Sequence, residues 1–162
     1  MTLDDRLEAA LRPVTYDPTL AVLAVPDGPT SLPNGGALRL ADGEVSWLGD
    51  VHAKGSSPTP GVVVHGSAEV SRELWTASDA TIAERLLRAA RPHLGVDARH
   101  VYVQRWRYAA PTGPAPGGDD LTLASVTPAP IAFAGDAFAG GRVEGALRSG
   151  RAAATALGAL LG

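Results

Sequence analysis

The segment that most constrains the fold is residues 131–154, IAFAGDAFAGGRVEGALRSGRAAA. Ile131, Ala132, Phe133 and Ala134 form a short apolar run of strand character. Gly135 and Asp136 interrupt that run, Gly140 and Gly141 follow, and the long tract of small residues beyond them reads as a helix. The segment is therefore a strand, an acidic turn and a helix N-terminus. Such a junction exposes unpaired backbone N–H groups and the positive end of a helix dipole beside one fixed carboxylate. That arrangement suits a ligand carrying both hydroxyls and negative charge. Taken alone, Asp136 is explained equally well as an ordinary turn or helix-start carboxylate.

The rest of the chain supplies strands and two further helices. Residues 2–12 carry Leu3, Leu7, Ala10 and Leu11 on one helical face, with Thr2 and Asp5 as a start resembling a capping box and Pro13 as the stop. A helix this short needs tertiary packing to persist. Residues 20–25, LAVLAV, lie between Pro18 and Pro26 and have the pattern of a strand covered on both faces. Residues 36–40 and 44–48 flank Ala41-Asp42-Gly43, a hairpin signal, because Asp-Gly supplies the positive φ that tight turns require. Residues 62–65 read as a short buried strand. Ser71 to Trp75 lead toward a helix starting at Ser78 or Asp79, in which Ile82, Leu86, Ala89 or Ala90, and Leu94 recur at helical spacing, with Pro92 near the end.

Residues 100–108, HVYVQRWRY, give the strongest strand signal. His100, Tyr102, Gln104, Trp106 and Tyr108 share one face, and Val101, Val103, Arg105 and Arg107 share the other. One face is expected toward a pocket or core and the other partly in water. A Pro- and Gly-rich loop and a short strand within 121–126 complete the chain before the opening segment. The predicted class is α+β, a mainly antiparallel sheet covered by helices and followed by the C-terminal strand–turn–helix.

Several function classes are disfavoured. The net charge is −3 and no run of Lys and Arg reaches the density that nucleic-acid binding needs. There is no cysteine, hence no disulfide, thiol nucleophile or Cys-based zinc site. His52, His65, His93 and His100 lack paired metal-ligand spacing, so no metal is expected. Ser56 and Ser57 lack an elbow motif and an identifiable base. No basic-then-apolar leader opens the sequence, and the apolar tail 152–161 is too short to span a bilayer; a cytoplasmic protein without a membrane partner is expected.

At HVYVQRWRYAAP and at FAGDAFAGGRVEGALRSGRAAA the chain resembles the C-terminal half of the renalase-like flavoproteins, a branch of the FAD-dependent amine-oxidase superfamily. VSWLGDVHAKGSSP is similar to the family's Trp and Lys segment, although Lys54 precedes Gly55-Ser56-Ser57 instead of a Pro-Gly-Arg-like turn. VVVHGSAEVSRELW is similar to the strand and acidic helix start that follow, so the resemblance runs from Tyr16 onward. It implies FAD as cofactor. By that resemblance Gly135 and Asp136 sit at the ribityl or pyrophosphate region, and Gly140, Gly141, Arg142 and Val143 form the turn that brings backbone to the isoalloxazine, with Glu144 continuing the match. Gly141, Gly145 and Ser149 would make a small-residue helix face, and Trp106 and Tyr108 would line the substrate cavity. The implied chemistry is hydride transfer to flavin from a C–N substrate, an amine or a dihydronicotinamide, with no catalytic side chain identified.

The family's Gly-rich strand–turn–helix for the ADP half of FAD has no counterpart in these 162 residues. The expected organisation is a substrate-domain-like region at 1–130 and the terminal segment of an FAD-binding domain at 131–162. Expected partners are a separate chain carrying the Gly-rich half and further copies of this chain in a homo-oligomer, with the isolated chain inactive. The alternative is a non-catalytic remnant or fragment that binds a partner chain or self-associates.

Overall fold

The computed structural model describes residues 3–33, 35–127 and 129–162. The chain divides into two compact units, one formed by Pro18–Arg107 and the other by the residues up to Asp17 together with Tyr108–Gly162.

A five-stranded sheet consists of β1 (Tyr16–Pro26), β2 (Ala37–Arg39), β3 (Val45–Asp50), β4 (Val62–Gly66) and β5 (Ala98–Pro111), in the order β2-β3-β4-β1-β5, and all of it except Tyr16, Asp17 and residues 108–111 belongs to the first unit. The β2–β3, β3–β4 and β1–β4 pairings are antiparallel, as the α+β reading requires. The hairpin turns where Asp42-Gly43 places it, with Gly43 at φ +98°, and pairs Leu38 with Leu48 and Arg39 with Trp47. Leu48, Val64 and Val22 stand opposite one another across β3, β4 and β1. Against them pack α2 (Ala68–Glu73) and α3 (Asp79–Leu94), the latter through Ile82, Leu86, Ala90 and Leu94. Ser78 caps α3 by accepting from Thr81 N–H at 3.2 Å, and Gly95 ends it at φ +72°. Pro92 is tolerated in the last turn.

Three expectations change. First, α2 is a separate helix capped by Ser67, ahead of the stretch read from Ser71 onward. Second, the 20–25 strand is not covered on both faces, because α2 and α3 lie on the same side of the sheet; Leu23, on the other side, remains 39% exposed. Third, the 100–108 strand buries neither face whole: Val101 is exposed along with Tyr102, Trp106 and Tyr108, and Val103 is the one buried residue of this run. Arg105 turns to the covered side and donates to Trp75 O at 3.3 Å, Ala77 O at 2.9 Å and Asp79 at 2.7 Å. It thereby closes the loop between α2 and α3, and Arg107 lies 5.6 Å from the Trp75 ring centroid.

The second unit consists of α1 (Asp5–Leu11), an antiparallel hairpin of β6 (Leu123–Ser125) and β7 (Ile131–Phe133), and α4 (Val143–Leu161). Thr2 lies outside the described residues; the cap of α1 is Asp4, which accepts from Leu7 N–H at 2.8 Å and from the Ser125 hydroxyl at 3.0 Å. Leu7 is fully buried beside Leu123 and Phe138, a burial that stabilises by about 2 kcal/mol and gives this short helix the packing it lacks alone. Among the described residues no helix is long and apolar enough to cross a membrane.

Candidate functional site

The site grows from the end of β7. The strand stops at Phe133, and Asp136 opens a single 3-10 turn, Asp136–Phe138, pinned to the core by buried Phe138. The chain then passes through Gly140 at φ +96° and Gly141 at φ +68°, left-handed positions that favour glycine. Gly141 N–H donates to Asp136 O at 2.9 Å, which closes the loop. Arg142 is extended, and α4 begins at Val143 with no side chain capping its N-terminus. Gly140, Gly141, Arg142, Val143 and Glu144 are all exposed. The first-turn N–H groups of a 19-residue helix thus open beside a bare glycine backbone, a surface that favours negative charge.

Two small residues hold α4 against this turn. A Cβ on Gly145 would meet Ala139 O at 2.3 Å, so only glycine fits. Ser149, fully buried, accepts from Gly135 N–H at 3.0 Å and donates to Leu121 O at 2.7 Å. The packed face is therefore Gly145, Ser149 and Ala153. Gly141, expected on it, precedes the helix and is exposed, and it is needed for its φ and for the approach of Pro111, whose ring would lie 3.0 Å from a Cβ there.

Asp136 is half-buried. The Tyr16 hydroxyl donates to its Oδ1 at 2.8 Å, and no other hydrogen bond reaches the carboxylate among the described residues. Burial first, then the hydrogen bond and charge of Asp136, hold the Tyr16 hydroxyl above the ordinary tyrosine pKa. The Tyr16 ring meets Tyr108 edge to face, centroids 6.0 Å apart, and Thr112 N–H donates to Thr15 O at 2.9 Å beside it. Tyr108 is thus brought to Asp136 through Tyr16 while remaining 74% exposed. Trp106 belongs to the Pro18–Arg107 unit, 55% exposed on the open face of its sheet. On that same face Lys54 Nζ lies 5.0 Å from the Trp47 centroid and the His65 ring 4.9 Å from it; burial and then the Arg39 cation push the His65 pKa down.

Tyr16 was not among the residues singled out from sequence. Its partner lies 120 positions away, and nothing in its surroundings at the head of β1 forms a motif.

The residues present fit the ribityl and ring portion of a flavin. One carboxylate oxygen of Asp136 is free to accept a hydroxyl, the Gly140-Gly141 backbone is bare of side chains, and the uncapped start of α4 suits a negative ring edge. A comparison with curated proteins found no match. The sequence model of the flavin containing amine oxidoreductases matches residues 3–158. That match runs through both units and the whole of the turn around Asp136, and the chain belongs to the flavin-containing amine oxidoreductase family.

Proposed function

We propose that this chain is the substrate-domain and ribityl-contacting part of a renalase-like oxidase acting on a C–N substrate, an amine or a dihydronicotinamide. The observation that carries the reading is the Asp136 carboxylate, held by Tyr16 on one oxygen and open on the other, beside the uncapped N-terminus of α4. Flavin, when bound, supplies the hydride acceptor for a carbon next to nitrogen. The chain's own part is to bind and orient. Asp136 accepts a ribityl hydroxyl, Gly135, Gly140 and Gly141 let backbone approach, and the start of α4 at Arg142, Val143 and Glu144 favours the anionic ring edge. Tyr108 and, within the Pro18–Arg107 unit, Trp106 each offer exposed aromatic surface to a substrate.

The same reading assigns the ADP half of FAD to a Gly-rich partner chain. Its support is the apolar face of α4: Val143, Leu147 and Leu161 are exposed at helical spacing, on the side away from Gly145 and Ser149. Apolar surface of this kind commonly marks an interface, and it supports self-association when no other partner is present.

Purification tests the reading. Co-expression with a chain carrying the Gly-rich half is expected to yield a complex that retains flavin absorbance through gel filtration. A colourless mixture that stays apo after FAD is added would leave the chain a non-catalytic remnant. Light scattering of the chain alone is expected to report a mass above the monomer.

A further inference from the structure

We infer that Tyr16 is the positioning residue of this site: its hydroxyl fixes one oxygen of the Asp136 carboxylate and leaves the other to accept a ligand hydroxyl, with the ring of Tyr108 bracing Tyr16 from the side. The inference rests on the reading of Asp136 as a ribityl contact and adds to it a residue that neither the sequence pattern nor the family match assigns.

The main chain of Asp136 is already fixed, since its carbonyl accepts from Gly141 N–H at 2.9 Å and from Ala139 N–H at 3.3 Å. Its side chain has one restraint, the 2.8 Å bond from Tyr16. A carboxylate offers about four lone-pair directions across two oxygens, so occupying Oδ1 orients the group and still leaves Oδ2 as an acceptor. A carboxylate without that restraint would lose rotamer freedom each time a ligand bound, which weakens affinity. Tyr16 is itself well held. Tyr108 meets it edge to face, and the neighbouring residue is tied twice to Thr112, by Thr112 N–H to Thr15 O and by their hydroxyls, both at 2.9 Å. Among the described residues, the charged group that acts on the Tyr16 hydroxyl is Asp136. With Oδ1 taken by the phenol, the carboxylate keeps Oδ2 as an acceptor for a polyol hydroxyl.

Two flavins that differ only in the side chain separate this role from a structural one. Riboflavin carries the ribityl chain; lumiflavin has the same ring system with a methyl group in its place. In equilibrium dialysis of the full chain, Tyr16→Phe and Asp136→Asn are each expected to weaken riboflavin about tenfold and to leave lumiflavin within about twofold. Equal losses on both flavins would make Tyr16 a structural tie only, and an unchanged riboflavin affinity in Tyr16→Phe would overturn the inference while sparing the ribityl contact. Failure of the wild-type chain to bind either flavin, both alone and together with the Gly-rich chain, would remove the site reading and the inference with it. An alkaline absorbance titration gives a readout that needs no flavin: the raised titration of Tyr16 is expected to move part of the way down in Asp136→Asn, burial holding the rest, and to be missing in Tyr16→Phe. A titration that Asp136→Asn does not move would overturn the inference whatever the dialysis shows.

Discussion

In the Pro18–Arg107 unit, fifteen buried apolar residues form one cluster; in the unit that carries Asp136, three do so among the described residues. The larger core lies between a sheet face and two helices and holds its geometry by burial. The smaller one leaves the positions of β7, the 3-10 turn and α4 to polar ties and to glycine. Ser149 joins residues 135 and 121, Thr122 donates to Phe133 O at 2.8 Å, and Asp4 gathers α1 and β6. Hydrogen bonds give direction where burial gives magnitude. A unit held mainly by them keeps a short turn in one shape with little buried surface, and local opening is expected to be easier there than in the larger unit.

The largest expected effect tests the core side of that contrast. Leu86→Ala, at a fully buried position of α3, is expected to cost about 3 kcal/mol in chemical denaturation; a loss below about 1 kcal/mol would mean the larger core is not the seat of stability. Next comes the close approach in the smaller unit. Gly145→Ala forces a Cβ to within 2.3 Å of Ala139 O and is expected to cost about 2 kcal/mol. Hydrogen exchange should place the lost protection within residues 131–161, and loss spread evenly through the Pro18–Arg107 unit would erase the contrast. Ser149→Ala leaves the Gly135 N–H and Leu121 O without their partner and is expected to cost about 1.5 kcal/mol, with the same regional signature.

The smallest effects are in pH. Tyr16 has a raised pKa, so its contribution is whole below the unfolded tyrosine value of about 10 and is lost as pH rises through the folded value; Tyr16→Phe should flatten the alkaline limb of stability. For Asp50, burial raises the pKa, but the bonds from Ala53 N–H, the Thr30 hydroxyl and His52 N–H outweigh it and the net shift is downward. Its contribution is present above the unfolded value of about 3.9 and is lost as pH falls through the folded one. Asp50→Asn should therefore flatten the acid limb, seen first by exchange in the Pro18–Arg107 unit. Identical limbs in both variants would show that neither group is linked to folding as its contacts imply.

What was legible in the sequence is what local chemistry decides. Asp42-Gly43 names its own turn, Ser78 its own helix, and the 131–154 segment its own strand, turn and helix start. Alternation separated Val103 from the aromatics of β5, yet the side of the sheet that the helices cover depends on where α2 and α3 return, and that decides that Arg105 turns to the covered side while Trp106 stays open. Glycine content marked the turn before α4 but could not tell Gly141, required for its backbone angle, from Gly145, required for contact with Ala139. Tyr16 was illegible for the same reason in stronger form: its bond to Asp136 spans 120 positions.

That span also orders events during synthesis. Asp136 is made 120 residues after Tyr16; at about 5–20 residues per second, on the order of ten seconds separate them. All of Pro18–Arg107 is made in the interval, so its sheet is free to form while the Asp136 turn does not yet exist. The Asp136 turn is therefore made after the whole of Pro18–Arg107, and a ribosome that stalls before residue 136 leaves a Tyr16 hydroxyl with no carboxylate to meet.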